Sequence, residues 1–221
     1  MQSTFNMDNK ISDLDTLKDI KRIMERSSRF ISLSGWSGIA AGFCALIGAF
    51  LGWYRLHKYY TVEYITSNPC RECLKRDLII IAGIVFIAAL VFASLFTFSK
   101  SKKEGVAFWG NTARRLLWNT LVPMLVGAAV LLRFIDLGFY EFISPLSLIF
   151  YGLALVNGSK YTLGEVKYLG YAEIGIGLIN LWFYSDGLIC WTIGFGIFHI
   201  VYGLTMWWKY ERVHNSVSID K

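Results

Sequence analysis

Charged residues are scarce in this 221-residue chain. Asp, Glu, Lys and Arg make up 17% of it, and hydrophobic residues make up 55%. A soluble domain usually carries roughly a quarter charged residues, because water has to solvate its surface. The cations that are present lie in short clusters between long stretches that contain almost none. This distribution is typical of a membrane protein.

Signatures of several other protein classes are missing. The sequence has no glycine-rich phosphate loop, no zinc-type double cysteine pair and no short fixed repeat, which argues against a nucleotide enzyme. It assigns no metal ligands and leaves the cofactor, if the protein has one, unknown. The net charge of +6 is divided among separate loops, whereas a nucleic-acid face gathers its cations on one surface. No nucleic-acid partner is therefore expected. No signal-peptide hydrophobic region precedes the first apolar stretch, which we expect to remain as an uncleaved anchor.

Six apolar segments approach the length of about 20 residues that a helix needs to cross the hydrocarbon of a bilayer. They are 31–53, 78–98, 116–135, 141–158, 166–184 and 187–208. The sequence therefore predicts an all-α fold, a polytopic membrane helix bundle of about six transmembrane helices, over residues 31–208.

Residues 1–30 form the one long polar segment. Apolar residues recur there near helical spacing, and Ser12 and Asp15 are spaced as a capping box. We predict a short amphipathic helix in this N-terminal segment and a polar tail at 209–221.

The distribution of cations predicts the orientation. With the N-terminus in the cytoplasm, the inner segments hold 16 of the 22 Lys and Arg residues. Cytoplasmic loops carry such an excess, so both termini are expected inside the cell, in the inner membrane. The outer loop at 54–77 is the exception, because it holds five cations.

Small residues form a stripe along the apolar segment 31–53, where they are spaced alternately three and four residues apart. The stripe consists of Gly35, Gly38, Gly42, Ala45, Ala49 and Gly52. Such stripes let another helix backbone approach closely. Packing within the chain is the favoured interpretation, and a homo-oligomer contact is the alternative.

Three stretches, 24–35, 114–119 and 148–163, resemble a family of uncharacterised bacterial multi-pass membrane proteins. The similarity extends over nearly the whole chain from Met24 onward. It implies a six-helix inner-membrane protein and brings no activity, substrate or catalytic residue with it.

Glu173 and His199 are ionisable residues inside apolar segments, where charge is costly and often functional. Each lies thirteen residues or so from the tight connection at 185–186, so a helical hairpin places both at a similar depth. The pair predicts either a proton- or ligand-linked site or a structural hydrogen bond, with Tyr171 or Tyr202 as further partners. Asn180 is a third polar candidate in this part of the chain.

Cys70 and Cys73 form a Cys-x-x-Cys pair in the first outer loop. Three interpretations stay open. The pair is a structural disulfide or idle thiols, a redox pair activated by nearby cations, or half of a metal site completed by ligands such as His57.

Two further groups of charged residues lie near the ends of the apolar segments, a basic cluster between the second and third segments and a possible ion pair near the end of the third. The cluster consists of Lys100, Lys102, Lys103, Arg114 and Arg115. Its charges set topology and attract anionic lipid headgroups of the bilayer. Arg133 and Asp136 are three residues apart and are expected to neutralise each other.

These observations leave three classes of function. The first is a non-catalytic sensing or regulatory membrane module. The second is a small-solute or ion transporter or channel that uses Glu173, His199 and Asn180. The third is a membrane thiol oxidoreductase that uses Cys70 and Cys73.

Overall fold

The computed structural model describes residues 34–63, 70–104, 109–183 and 186–211. Over these residues the chain is helical and contains no β-strand, in agreement with the all-α class. The predicted N-terminal amphipathic helix at 1–30 and most of the tail at 209–221 lie outside the described residues.

Six helices occupy the positions of the six apolar segments. They are α1 (Gly35–Lys58), α2 (Arg71–Glu104), α3 (Asn111–Leu137), α4 (Ile143–Gly158), α5 (Glu165–Trp182) and α6 (Gly187–Tyr210). The helix α2 is longer at both ends than the predicted 78–98, because its polar ends continue the helix beyond the apolar part. Within α6, residues Thr192–Phe198 form a wider π-helical segment.

Five helical spans, those of α1 to α4 and α6, are long and apolar enough to cross a membrane. The span of α4 includes the 3-10 turns at both of its ends and runs from Tyr140 to Tyr161. The helix α5 has 18 residues and carries three charged ones, Glu165, Lys167 and Glu173. Its composition therefore sets it apart from the other five, and its polar residues define the candidate site described below.

Contacts at one end of the bundle show how the helices alternate in direction. Nε of Arg55, near the end of α1, lies 2.9 Å from Oδ2 of Asp77, near the start of α2. The Ser144 hydroxyl at the start of α4 donates to the Gly187 carbonyl at the start of α6, at 2.6 Å. We call this the Arg55 end.

The opposite end, the Lys209 end, joins the complementary termini. Nζ of Lys209 in the last turn of α6 lies 2.5 Å from Oε1 of Glu165 at the start of α5. Nδ2 of Asn157 near the end of α4 donates to the Asn119 carbonyl in α3, at 2.8 Å. Successive helices therefore run up and down between the two ends.

Glycines set the closest approaches between helices. Gly38 has no side chain, so α1 lies close to the backbone of α6 at this position. A Cβ added at Gly38 would lie 3.1 Å from the Gly203 Cα and 3.2 Å from the His199 carbonyl oxygen. A Cβ at Gly152 would lie 2.6 Å from the Gly170 carbonyl oxygen, where α4 crosses α5. At Gly152 a larger residue would require the backbone to shift, and at Gly38 the neighbouring atoms would have to give by a few tenths of an ångström.

The small-residue stripe of α1 packs within the chain. Gly35, Gly38 and Gly42 face α6, and Ala45 and Ala49 are buried. A second copy of the chain would have to displace α6 to use the same glycines. The homo-oligomer contact therefore stays a prediction without support from this packing.

The helix α2 lies at the edge of the bundle and packs mainly on α1. Large apolar side chains are exposed along it, among them Ile84, Ile87 and Phe92. A shallow apolar groove on the same helix is lined by Leu90, Val91, Ser94, Leu95 and Phe98. Exposed apolar surface of this extent favours a lipid environment over water.

Candidate functional site

Glu173 and His199 meet at the contact between α5 and α6. Glu173 is 0% exposed and His199 is 6% exposed, and Oε1 of Glu173 lies 3.4 Å from Nδ1 of His199. The contact places both residues at the same depth, as the residue count from 185–186 predicts. The structure thus brings together the two ionisable residues that the sequence analysis selected.

The third member of the cluster is Tyr151, from the middle of α4. Its hydroxyl lies 2.8 Å from Nε2 of His199. The sequence analysis suggested Tyr171 or Tyr202 for this place. Instead, Tyr171 is half-exposed beside Lys167, and the buried Tyr202 hydroxyl has no hydrogen-bond partner among the described residues.

The hydrogen bonds of His199 assign its tautomer. Nδ1 lies 3.2 Å from the Gly194 carbonyl oxygen. A carbonyl oxygen can only accept, so Nδ1 carries the proton and donates. In the neutral ring Nε2 then accepts from the Tyr151 hydroxyl, so both ring nitrogens are engaged.

The π-helical segment Thr192–Phe198 leads directly into His199. Residues five apart come together in a π-helical turn, and Gly194 is five residues before His199. The same glycine makes room for the carboxyl group, because a Cβ added at Gly194 would lie 2.5 Å from Oε2 of Glu173. The irregular turn and its glycine therefore position both polar side chains.

Glu173 has an unusual environment for a carboxyl group. Both of its oxygens are buried, and neither accepts a hydrogen bond from another described residue. Oε1 faces Nδ1 of His199 at a distance longer than a hydrogen bond, and Oε2 faces Gly194. A buried carboxyl group with so few partners is costly to keep charged.

Asn180 lies on the same face of α5 as Glu173, two turns toward the Arg55 end. It is 0% exposed, and neither its Nδ2 nor its Oδ1 has a hydrogen-bond partner among the described residues. The spacing of seven residues puts it about 10 Å from Glu173 along the helix. Asn180 belongs to the same helix contact as the Glu173–His199–Tyr151 cluster, but the described hydrogen bonds of His199 go to Tyr151 and Gly194.

Cys70 and Cys73 are joined by a disulfide at the start of α2. As bridged sulfurs they offer no thiolate to a metal, and the described residues contain no group of three or more metal-ligating side chains. His57, named as a further metal ligand, stacks on Trp53 instead. The other cysteines, Cys44 and Cys190, are free and half-buried in α1 and α6.

The basic cluster lies at the Lys209 end, where α2 ends and α3 begins. Lys102, Lys103, Arg114 and Arg115 are exposed there, and Lys100 is half-buried. Farther along α3, Arg133 and Asp136 form the expected pair, with Nη1 and Oδ2 2.6 Å apart. Neither group contacts the Glu173–His199–Tyr151 cluster, so both are separate from the candidate site.

The comparisons with known proteins give no family to which the cluster can be referred. No protein-family model, curated protein or solved structure matches the chain.

Proposed function

We propose that this chain is a multi-pass inner-membrane protein that acts as a non-catalytic sensing or regulatory module, and that the Glu173–His199–Tyr151 cluster is its proton-responsive element. The observation that carries the proposal is the enclosure of Glu173, which is 0% exposed between helices. A catalytic or transporting carboxylate needs a route for its substrate. A sensing carboxylate needs only a proton and a neighbour whose position depends on it.

The membrane placement is supported by the apolar surfaces of the helices. Five helices are long and apolar enough to span a bilayer, and large apolar side chains cover much of their outer surface. We place the Lys209 end in the cytoplasm, because the basic cluster lies there and cytoplasmic loops are rich in Lys and Arg. Both terminal segments then leave the bundle on the cytoplasmic side.

The packing of α1 on α6 provides a route from the cluster to the terminal segments. Gly38 of α1 lies against the backbone at His199 and Gly203. A change in the protonation of the Glu173–His199 pair alters the forces on α6 at His199. Because the backbones of α1 and α6 approach each other closely there, a shift of α6 moves α1 and the polar segment that precedes it.

The test is a distance measurement in lipid bilayers as a function of pH. Spin labels are placed at the exposed positions Phe43 in α1 and Tyr168 in α5, in a variant whose free cysteines are replaced by serine. We expect the distance distribution to change as the pH is lowered, because protonation of the Glu173–His199 pair changes the charge at the contact between α5 and α6. Glu173→Gln should abolish the change.

The matched control is Glu141→Gln, which removes an exposed carboxyl group far from the cluster. This variant should keep the full pH response. A distance distribution that is independent of pH in the parent chain, or a response that survives Glu173→Gln, would contradict the proposal.

A second candidate function is a small-solute or ion transporter that uses the same pair. The π-helical segment Thr192–Phe198 favours it, because such irregular turns in helices occur frequently at functional sites. Vesicles that contain the chain and an internal pH dye distinguish the two candidates. A transporter that uses Glu173 to move protons carries them down an imposed gradient and loses this flux in Glu173→Gln, whereas the sensing module produces no flux above that of empty vesicles.

A further inference from the structure

The Cys70–Cys73 disulfide lies at the N-terminal end of α2, at the Arg55 end of the bundle. Cys70 immediately precedes the helix, and its carbonyl oxygen accepts from the Leu74 N–H at 3.1 Å. Cys70 is exposed, Cys73 is half-buried and Leu74 is buried. The helix therefore presents one sulfur of the bridge to the surroundings and keeps the other closer to the bundle.

A backbone hydrogen bond reaches the exposed sulfur. The Cys73 N–H donates to Sγ of Cys70 at 3.2 Å. The first N–H groups of a helix have no carbonyl partner within it, and a side-chain oxygen of the residue before the helix usually accepts from one of them. Here the sulfur of Cys70 occupies the position of that oxygen.

This position affects the chemistry of the sulfur. Thiolates are stabilised at helix N-termini and beside Arg or Lys side chains. Arg71 follows Cys70 directly, and its guanidinium lies 5.5 Å from the centre of the Tyr140 ring. Cys70 thus has a helix N-terminus, an N–H donor and a neighbouring cation, which together favour a thiolate at this residue once the bridge is opened.

The bridge contributes little as a staple of the fold. A disulfide stabilises a protein mainly by closing a loop of the unfolded chain, and the effect grows with the length of the loop. Cys70 and Cys73 are only three residues apart in sequence. The bond from the Leu74 N–H to the Cys70 carbonyl already closes the same turn.

We propose that Cys70–Cys73 is a redox-active disulfide that oxidises a pair of thiols on a polypeptide at the Arg55 end of the bundle. The inference goes beyond the sensing function and uses none of the residues of the Glu173–His199–Tyr151 cluster. It takes only the compartment from the proposed orientation, which places the Arg55 end outside the cytoplasm, where disulfides form and persist.

The exchange consists of two attacks by a thiolate on a disulfide. In the first, a thiolate of the polypeptide attacks the exposed Sγ of Cys70, and Cys73 leaves as a thiolate that takes up a proton. In the second, the other thiolate of the polypeptide attacks its own sulfur in the mixed disulfide, and Cys70 leaves as a thiolate. One disulfide breaks and one forms, so the chain gains the two electrons that the polypeptide loses.

The hydrogen bond to Cys70 favours the second step. A sulfur leaves faster when its thiolate is stabilised, and the leaving sulfur in this step is that of Cys70. The Cys73 N–H and the helix N-terminus belong to the backbone of α2 and do not depend on the bridge. They therefore favour release of the oxidised polypeptide.

The experiment mixes the chain in lipid nanodiscs, which leave both ends of the bundle open to the solvent, with a synthetic peptide that holds two reduced cysteines. The chain is then alkylated under denaturing conditions, and mass spectrometry counts its labels. We expect the labels to rise from two, on Cys44 and Cys190, to four, with one peptide oxidised for each bridge opened. A bridge that stays closed in the folded chain, but is opened by the same peptide in the denatured chain, would overturn the proposal.

Single-cysteine variants identify the reacting sulfur. When the oxidised peptide is added, Cys73→Ser should form a stable mixed disulfide through Cys70, because no second thiol is left to resolve it. The matched variant Cys70→Ser should form about tenfold less, since Cys73 is less exposed and lies inside the helix. Equal amounts in the two variants, or more mixed disulfide on Cys73, would contradict the proposal.

The redox proposal and the sensing function fail separately in these measurements. A chain that exchanges with the peptide but shows no pH-dependent change in the Phe43 to Tyr168 distance refutes the sensing function alone. A chain with the reverse pattern refutes the redox proposal alone.

Discussion

The Tyr151 hydroxyl lies 2.8 Å from Nε2 of His199 and links the centre of α4 to α6. Through this bond the imidazole is held between a donor on one nitrogen and the Glu173 carboxyl group near the other. Three helices therefore contribute one polar side chain each to the site, in which Glu173 and His199 are buried and Tyr151 is half-buried.

Tyr151→Phe is expected to lower the free energy of unfolding by about 1 kcal/mol, because it removes one hydrogen bond and leaves the buried Nε2 without a donor. Reversible unfolding in mixed detergent micelles measures this change. The matched control is Tyr168→Phe, where the hydroxyl is on an exposed side chain and its loss should have no measurable effect. Equal stabilities of the two variants would show that the bond to His199 is not formed.

Gly152→Ala is expected to destabilise the bundle by about 1–3 kcal/mol, since the added methyl group overpacks the crossing of α4 and α5. The new Cβ would lie 2.6 Å from the Gly170 carbonyl oxygen, which cannot move without moving α5. Gly175→Ala is the control, because a Cβ added there meets nothing within 4 Å. This second variant should stay within about 0.5 kcal/mol of the parent chain in the same unfolding assay.

The sequence was sufficient to predict the helices and the contact between Glu173 and His199. Apolar length locates each helix, and the short connection before α6 fixes the depth of residues on either side of it. Tyr151 was not predicted, because a contact between helices distant in sequence depends on how each helix is rotated about its axis. The π-helical turn at Thr192–Phe198 also leaves no clear mark in the sequence beyond its two glycines.

The disulfide at the start of α2 was one of several alternatives, because two cysteines at this spacing also suit redox or metal chemistry. Arg133 and Asp136, by contrast, were predictable from spacing alone, since residues three apart on a helix face each other.

Cysteine labelling tests the orientation of the bundle in the membrane. We expect Lys102→Cys, at the Lys209 end, to react with an impermeant maleimide only after the cytoplasmic side is opened. Lys75→Cys, near the Arg55 end, should react in intact spheroplasts. The parent chain, whose free cysteines are half-buried, gives the background. The opposite pattern of labelling would place the basic cluster outside and contradict the proposed orientation.

Alkylation under denaturing conditions tests the state and the role of the disulfide. Without a reductant, we expect two labels per chain, on Cys44 and Cys190, and four labels after reduction. Replacement of Cys70 and Cys73 by serine should leave the pH response of the bundle unchanged, because neither residue contacts the Glu173–His199–Tyr151 cluster. Loss of that response in the double variant would favour thiol chemistry over the sensing function.

Nitrogen NMR of labelled histidine in lipid bilayers tests the central claim most directly. The chain has three histidines, so the His199 signals can be assigned by comparison with His199→Gln. At neutral pH we predict a neutral ring with the proton on Nδ1 and with Nε2 as a hydrogen-bond acceptor, and a pH titration that changes in Glu173→Gln. A ring protonated on Nε2 at neutral pH, or a titration identical in the parent chain and Glu173→Gln, would contradict the account.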